Sequence, residues 1–276
     1  MTFTSRSSSF TWPRRIVCLT AETTEIAFAL GAGNRVVGVS GYSLRPPEAR
    51  KKPKVAAFTS IRMDKIRELQ PDLILGFSDL QKDISRDLVG EGFNVFISNQ
   101  RSLEEVGDAI LAIGRLLGEE KKALQIHDQF FSELDTLAKE TGTLGYSPRV
   151  YFEEWDDPLI SGISWASEII ERLGGEDVFK EKSRGKTASE RFVTSKEVVE
   201  ANPEIILASW CGKKVGFEKI RSRPGWDTVD AVRNRRIYEI KSPDILAPGL
   251  SLLRGARQIA EIIKTATSYR LQAARE

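Results

Sequence analysis

Histidine is nearly absent from this chain: His127 is the single one in 276 residues. That excludes acid–base chemistry built on histidine and metal chelation by imidazole clusters. A lone histidine in a helical stretch reads as a surface or groove residue. Cysteine is scarce too, with Cys18 and Cys211 only. Two are too few for a disulfide framework or a structural zinc site, and Cys18, inside an apolar run, reads as a small buried hydrophobe. No segment reaches ~18 consecutive apolar residues, so no helix long enough to span a bilayer is expected. The opening MTFTSRSSSFTWPRR lacks the apolar core of a secretion leader, and no cysteine follows a short apolar run as a lipid anchor would require. A cytoplasmic location is expected on that basis, with a periplasmic or extracellular one, after removal of a leader, as the alternative. An excess of one charge is also lacking: 41 Lys and Arg face 39 Asp and Glu, for a net charge of +2. With no aromatics interleaved among basic runs, a nucleic-acid partner is excluded. Gly31-Ala-Gly33 ends a helix instead of opening one, and Gly185–Lys186–Thr187 lacks the upstream glycine of a phosphate loop. No catalytic constellation remains, so no catalytic residue and no metal ligand is assigned, and the chain reads as a binding protein, not an enzyme.

What is present is an ordinary globular composition, 41% hydrophobic and 29% charged, in a length suited to one large or two medium domains. The organising stretch is Ser102 to Gly142, the longest run with no proline and no strand signal. Val106, Ile110, Ile113 and Leu117, then Ala123, Ile126, Phe130, Leu134 and Leu137, recur at helical spacing. Ser102 and Glu105 form a capping box, and Gly118 ends or kinks the first helix. A second helix running to Gly142 would be roughly 35 Å long, enough to cross from one lobe to another as a stiff strut. On either side short apolar runs alternate with helical ones: RIVCL, Val36–Val39, Leu73–Leu75 and Asn94–Ile97 before it; Arg149–Glu153, Ile205–Ser209 and Arg236–Ile240 after it. The segment Glu154 to Ser164 reads as a loop. The expected fold class is therefore α/β: two Rossmann-like parallel-sheet lobes bridged by a long rigid α-helix. The expected division is a disordered tail over 1–14, an N-terminal lobe over 15–101, a helical connector over 102–142 and a C-terminal lobe over 143–276. IRELQPDLIL and VVEANPEIIL repeat one pattern, a helix end, proline, an acid and three apolar strand residues. Turn chemistry alone can produce it; its place in each half favours two similar lobes.

Ligands of open α/β sheets bind beyond the carboxyl ends of strands. Tyr42, Phe58 and Phe77 follow strands in the first half; Glu154, Trp155, Asp156 and Trp210 do so in the second. Recurrent flat side chains at those ends suit a large, flat, partly apolar ligand, while any one of them could equally be core or rim packing. The acidic run Glu153 to Asp157 has two readings: a solvated loop turning at Asp157–Pro158, or a patch for a cationic or metal-bearing part of the ligand.

Taken with PP after the tyrosine, PLISG, LGGEDVF and the opening RIVCLTAETTEIAFALGAGNRVVGVSGYS, these segments make the chain resemble the cobalamin-binding substrate-binding proteins of ABC importers. The wider group also takes ferric siderophores and haem, and the resemblance covers nearly all of Arg15 to Lys264. It implies two α/β lobes bridged by one long helix, with a ligand held between them by Tyr42, Phe58, Phe77 and Trp155. Arg191 falls where cobalamin binders often carry tryptophan. The resemblance also implies one acid on each lobe for docking to an ABC permease. Asp64, seven residues before Pro71, fits the first; seven before Pro203 stands Lys196, with Glu197 beside it as the matching acid. A monomer is expected, with a small-molecule ligand, no membrane insertion and no intrinsic cofactor. The ligand that the resemblance implies is cobalamin or another metal–tetrapyrrole. The rivals are a ferric-siderophore or haem binder, and a tetrapyrrole- or metal-handling enzyme on a similar bilobal fold.

Overall fold

A computed structural model describes residues 12–142 and 145–273, with side chains through Ser268. Contacts divide the chain into two compact units, Met1–Asn99 with Asp108–Ile126 and Gln100–Gly107 with His127–Glu276. Most of the expected tail, Met1 to Thr11, lies outside the described residues.

Both units are α/β. The first holds a six-stranded sheet built from β1 (Ile16–Cys18), β2 (Val36–Ser40), β3 (Lys54–Ala57), β4 (Ser60–Ile61), β5 (Leu73–Phe77) and β6 (Val95–Ser98), in the order β4-β3-β2-β1-β5-β6. All pairs are parallel except the β3–β4 hairpin. Strands buried on both faces read as continuous apolar runs, which is why Leu73–Leu75 was legible. Val17, Leu19, Val55, Ile66, Ile74 and Leu88 form one core of this unit. The second unit holds β7 (Arg149–Asp156), β8 (Leu159–Ser161), β9 (Glu176–Asp177), β10 (Ile205–Ala208) and β11 (Ile237–Glu239), ordered β11-β10-β7-β8 with β9 beside β7. Here β7, β10 and β11 run parallel, and β8 turns back antiparallel on β7. Tyr151, Ile206, Trp210 and Trp226 anchor a core of this unit.

The expected capping box is present. Ser102 Oγ accepts from the Glu105 amide at 3.2 Å, and the Glu105 carboxylate accepts from the Ser102 amide at 3.1 Å, opening the helix Leu103–Leu117. Gly118 then ends that helix at φ +73°. Its amide donates to the Arg115 carbonyl and that of Glu119 to the Gly114 carbonyl, a Schellman closure that favours glycine. A Cβ on Gly118 would lie 2.4 Å from the Trp12 ring, so a side chain is barred there by packing as well. The next helix, Glu120–Gly142, runs 23 residues.

The internal repeat has a physical basis. The helices Met63–Leu69 and Ser195–Ala201 both end on a left-handed residue, Gln70 (φ 44°) and Asn202 (φ 41°), directly before the proline. The acid after each proline then fastens the start of its unit's first strand. Asp72 accepts from the Arg14 and Arg15 amides at 2.7 and 2.9 Å, while Glu204 accepts from the Arg149 amide at 3.1 Å and from the Tyr146 hydroxyl at 2.6 Å.

One expectation is corrected. Glu154 to Ser164 is not a loop: β7 continues through Asp156, turns at Asp157–Pro158 and returns as β8. Glu153, Glu154 and Asp156 are neutralised by cations from elsewhere in the unit, so the strand extends through them, and the exposed Asp157 falls in the turn.

Candidate functional site

In the first unit, parallel strands bring Tyr42, Phe58 and Phe77 to one edge of one sheet. Tyr42 follows β2 in a tight turn, its amide donating to Ser40 Oγ at 3.2 Å and its side chain 63% exposed. Phe58 forms the β3–β4 turn with Thr59 and has a left-handed backbone at φ 49°. Phe77 ends β5 and is buried. Gln81 joins the last two. It is fully buried; its Oε1 accepts from the Phe77 amide at 3.0 Å, and its Nε2 donates to the Phe58 carbonyl at 2.6 Å. Gly76 makes room for it, since a Cβ there would lie 2.6 Å from Gln81 Oε1. Nothing in the local sequence marks Gln81, because its role is to tie two turns far apart in the chain.

The end of β1 carries a buried polar cluster. Thr24 Oγ1 bonds to the Thr20 carbonyl and to Ser43 Oγ, each at 2.7 Å. Glu22 stands in the first turn of the helix Ala21–Ala29 and is 3% exposed, with Oε1 lacking a partner. Burial pushes its carboxyl up to about 7, against the opposing hydrogen bond from Thr20. Burial likewise pushes the Cys18 thiol up to about 12, so Cys18 behaves as the small hydrophobe its strand predicts.

In the second unit, Glu154, Trp155, Asp156 and Trp210 meet at the ends of β7 and β10. Three of the four acids in the run are engaged, and Asp157 is exposed at the turn. Glu153, fully buried, accepts from Arg223 at 2.5 and 3.0 Å and from Trp210 Nε1 at 3.0 Å. Glu154 is held by both terminal nitrogens of Arg191, which is 4% exposed and also donates to the Ser161 carbonyl at 2.8 Å. Arg191, in the place where a tryptophan was the family expectation, is thus a buried partner of β7 and β8. The Asp156 carboxylate accepts from Lys213 and Lys219, each at 2.5 Å. Burial alone would raise the pKa of Asp156, but the two ammonium groups outweigh it and hold the carboxyl below its usual range. Trp155 is half-buried, donates to the Asp157 carbonyl at 3.0 Å and has the Lys213 ammonium 4.0 Å from its ring centroid. Trp210 is 3% exposed and underlies the group as core. The pairing of the four cations with these acids was missed in the sequence because they follow the acids by 37 to 70 positions, with no periodicity to flag them.

The two acids assigned to docking differ. Asp64 is 92% exposed on the first turn of the helix Met63–Leu69, with a 3.1 Å contact to Arg67. Glu197 is engaged: it closes a capping box with Thr194 and pairs with Lys182 at 2.8 Å, and these contacts, that with Lys182 foremost, press its carboxyl down to about 2. Lys196 beside it is exposed and faces Glu200 at 3.6 Å. His127 bonds Asp128 at 2.9 Å and lies against Phe131, the two rings tilted by 57°. Among the described residues no group of three or more His, Cys, Asp or Glu is placed to hold a metal ion, and no helix is long and apolar enough to cross a membrane.

Comparison with known proteins places this geometry in context. The chain is 28% identical to an uncharacterised ABC transporter substrate-binding lipoprotein of Bacillus subtilis, over 91% of this chain and 80% of the relative. It is 26% identical to a vitamin B12-binding protein of Vibrio vulnificus, over 90% and 89% of the two chains. The crystal structure of a periplasmic vitamin B12 binding protein of Vibrio cholerae superposes with a TM-score of 0.72 at 25% identity, covering 92% of this chain and 98% of that one. A periplasmic heme-binding protein of a Roseiflexus species shares the fold, with a TM-score of 0.80 at 21% identity over 92% and 99%. The expected cytoplasmic location is overturned by these similarities: the Bacillus relative is named as a lipoprotein and the two solved structures as periplasmic proteins, which points outside the cytoplasm. The model of the periplasmic binding protein family matches residues 16–243, from β1 to beyond β11. The match runs through both units, and the chain therefore belongs to the periplasmic binding protein family, as a substrate-binding protein of the ABC importer type.

Proposed function

We propose that this protein carries cobalamin or a related metal–tetrapyrrole as cargo and passes it, chemically unchanged, to an ABC permease. The observation that carries this reading is the placement of aromatic side chains at the carboxyl ends of the parallel strands, where such sheets take ligands. Tyr42 presents an exposed ring there, and Phe58 and Trp155 partly exposed ones. Trp210, buried and bonded to Glu153, supports Trp155 from below. Relatives named as vitamin B12-binding proteins support the same ligand class. For the permease, Asp64 is the available acid, whereas Glu197 is committed to its own helix start.

The test is a visible absorption spectrum after incubation with cobalamin, haem or a ferric siderophore, followed by desalting. Retained, stoichiometric, unmodified cobalamin is the expected result; retention of haem or the siderophore alone would move the assignment to that ligand. Trp155→Ala should then weaken binding about tenfold, since one well-stacked aromatic contact adds ~0.5–1.5 kcal/mol beyond area burial and ~1.4 kcal/mol is a decade. Unchanged affinity in a folded Trp155→Ala protein would place the ligand elsewhere.

A further inference from the structure

We infer that Lys213 and Lys219 form a receptor for an anionic oxygen group, a carboxylate or phosphate, attached to the flat cargo; this rests on the tetrapyrrole reading above. The pair is built on a buried charge. The Asp156 side chain is 1% exposed, and each of its oxygens accepts from a different ammonium, Lys213 on Oδ1 and Lys219 on Oδ2, both at 2.5 Å. One negative charge cannot neutralise two positive ones, so the triad keeps a net charge of one plus. The other carboxylates of β7 do not remove it: Glu153 is engaged by Arg223 and Trp210, and Glu154 by Arg191, while Asp157 lies exposed beyond the strand at the turn. One lysine would suffice to compensate Asp156, and the second leaves the excess cation with its head in reach of solvent.

The geometry also supplies donors and a platform. An ammonium has three N–H groups, and Asp156 takes one from each lysine. The lysine side chains are 42% and 55% exposed, so the other donors are open to an incoming oxygen. Lys213 is further oriented by aromatic faces, with its Nζ 4.0 Å from the Trp155 centroid and 4.9 Å from that of Trp210. The two lysines come from the segment after β10, and Asp156 ends the parallel neighbour β7, the crevice where open α/β sheets bind ligands. A ring lying near Trp155 would bring a peripheral acid group to the lysine pair. This is the reverse of an acidic patch awaiting a cation: the acids of β7 organise cations, and the cations meet the ligand.

Calorimetric titration with matched pairs tests this. Cobalamin carries a phosphate in its nucleotide loop, and cobinamide lacks that phosphate together with the ribose and base beyond it; haem carries two free carboxylates and its dimethyl ester none. For the ring that binds, the charged member should bind about tenfold more tightly than its uncharged counterpart, with the advantage shrinking as salt rises. The haem pair reports the carboxylates directly, and in the corrin pair the part of the preference that salt and the glutamine variants remove reports the phosphate. Lys213→Gln and Lys219→Gln should each cut the affinity for the charged member severalfold and so narrow its advantage over the uncharged one, while Lys213→Arg and Lys219→Arg keep the preference. Equal binding of the charged and uncharged members, or a preference that survives both glutamine variants, would overturn the inference while leaving the tetrapyrrole reading intact. Failure of the unaltered protein to bind either ring would remove that reading and this inference with it.

Discussion

Replacing Glu153 by glutamine takes one charge out of the interior of the second unit at almost constant volume. Glu153 is fully buried, and its two oxygens take both Arg223 nitrogens and the Trp210 indole N–H. Arg223 is 11% exposed and lies 4.4 Å from the Trp226 ring centroid, so it has little water to turn to. Breaking a buried pair by removing one partner costs about 3–5 kcal/mol, because the other charge is left uncompensated. Glutamine can still accept one hydrogen bond, so Glu153→Gln should fall near the lower end, about 3 kcal/mol. Arg223→Met should cost a similar amount, this time by stranding the carboxylate. The double variant strands neither, and its loss should be well below the sum of the two. Equilibrium urea unfolding of the four proteins closes this cycle, with the slopes compared to confirm that the denatured state is unchanged. Single losses below about 1 kcal/mol, or strict additivity, would refute the reasoning, since both would mean that water already solvates the pair.

Two further outcomes follow from the first unit and from the repeat. The Glu22 carboxyl is raised from 4.5 to about 7 by burial, so the folded chain holds a proton that the unfolded chain has lost between those values. Stability therefore falls as pH rises across that window, and above it the folded state bears a penalty of about 3 kcal/mol. Glu22→Gln should match the parent near pH 4 and exceed it by up to that amount at pH 8; chemical denaturation at both pH values checks this, and equal stability at pH 8 would count against it. Asn202 and Gln70 close their helices in the left-handed region, where glycine is at ease. Gln70→Gly should stabilise by up to about 1 kcal/mol and Asn202→Gly by less, because asparagine tolerates that region better and its side chain also contacts Asp230 at 3.3 Å. Thermal unfolding of the two variants would show the order; a larger gain at Asn202 would contradict it.

Much of the fold was set by rules that act over a few residues. Buried parallel strands are continuous apolar runs wherever they occur, and Leu73–Leu75 and Ile205–Ala208 announce themselves. The capping box Ser102/Glu105, the stop at Gly118 and the turns before Pro71 and Pro203 are local chemistry, so they survive reading without coordinates. The α/β class and the aromatics at strand ends follow from the same alternation. What only the tertiary structure decided is where charge is cancelled and where it is left over. The acids of β7 look like a solvated loop in the linear sequence, and they become buried or half-buried strand residues because Arg191, Lys213, Lys219 and Arg223 return to them across intervening helices and loops. Gln81 is similar, a polar residue whose value lies in two backbone groups that chain order keeps apart. Electrostatic and hydrogen-bond partnership depends on distance in space, and beyond a helical turn or a hairpin that distance leaves no period in the sequence.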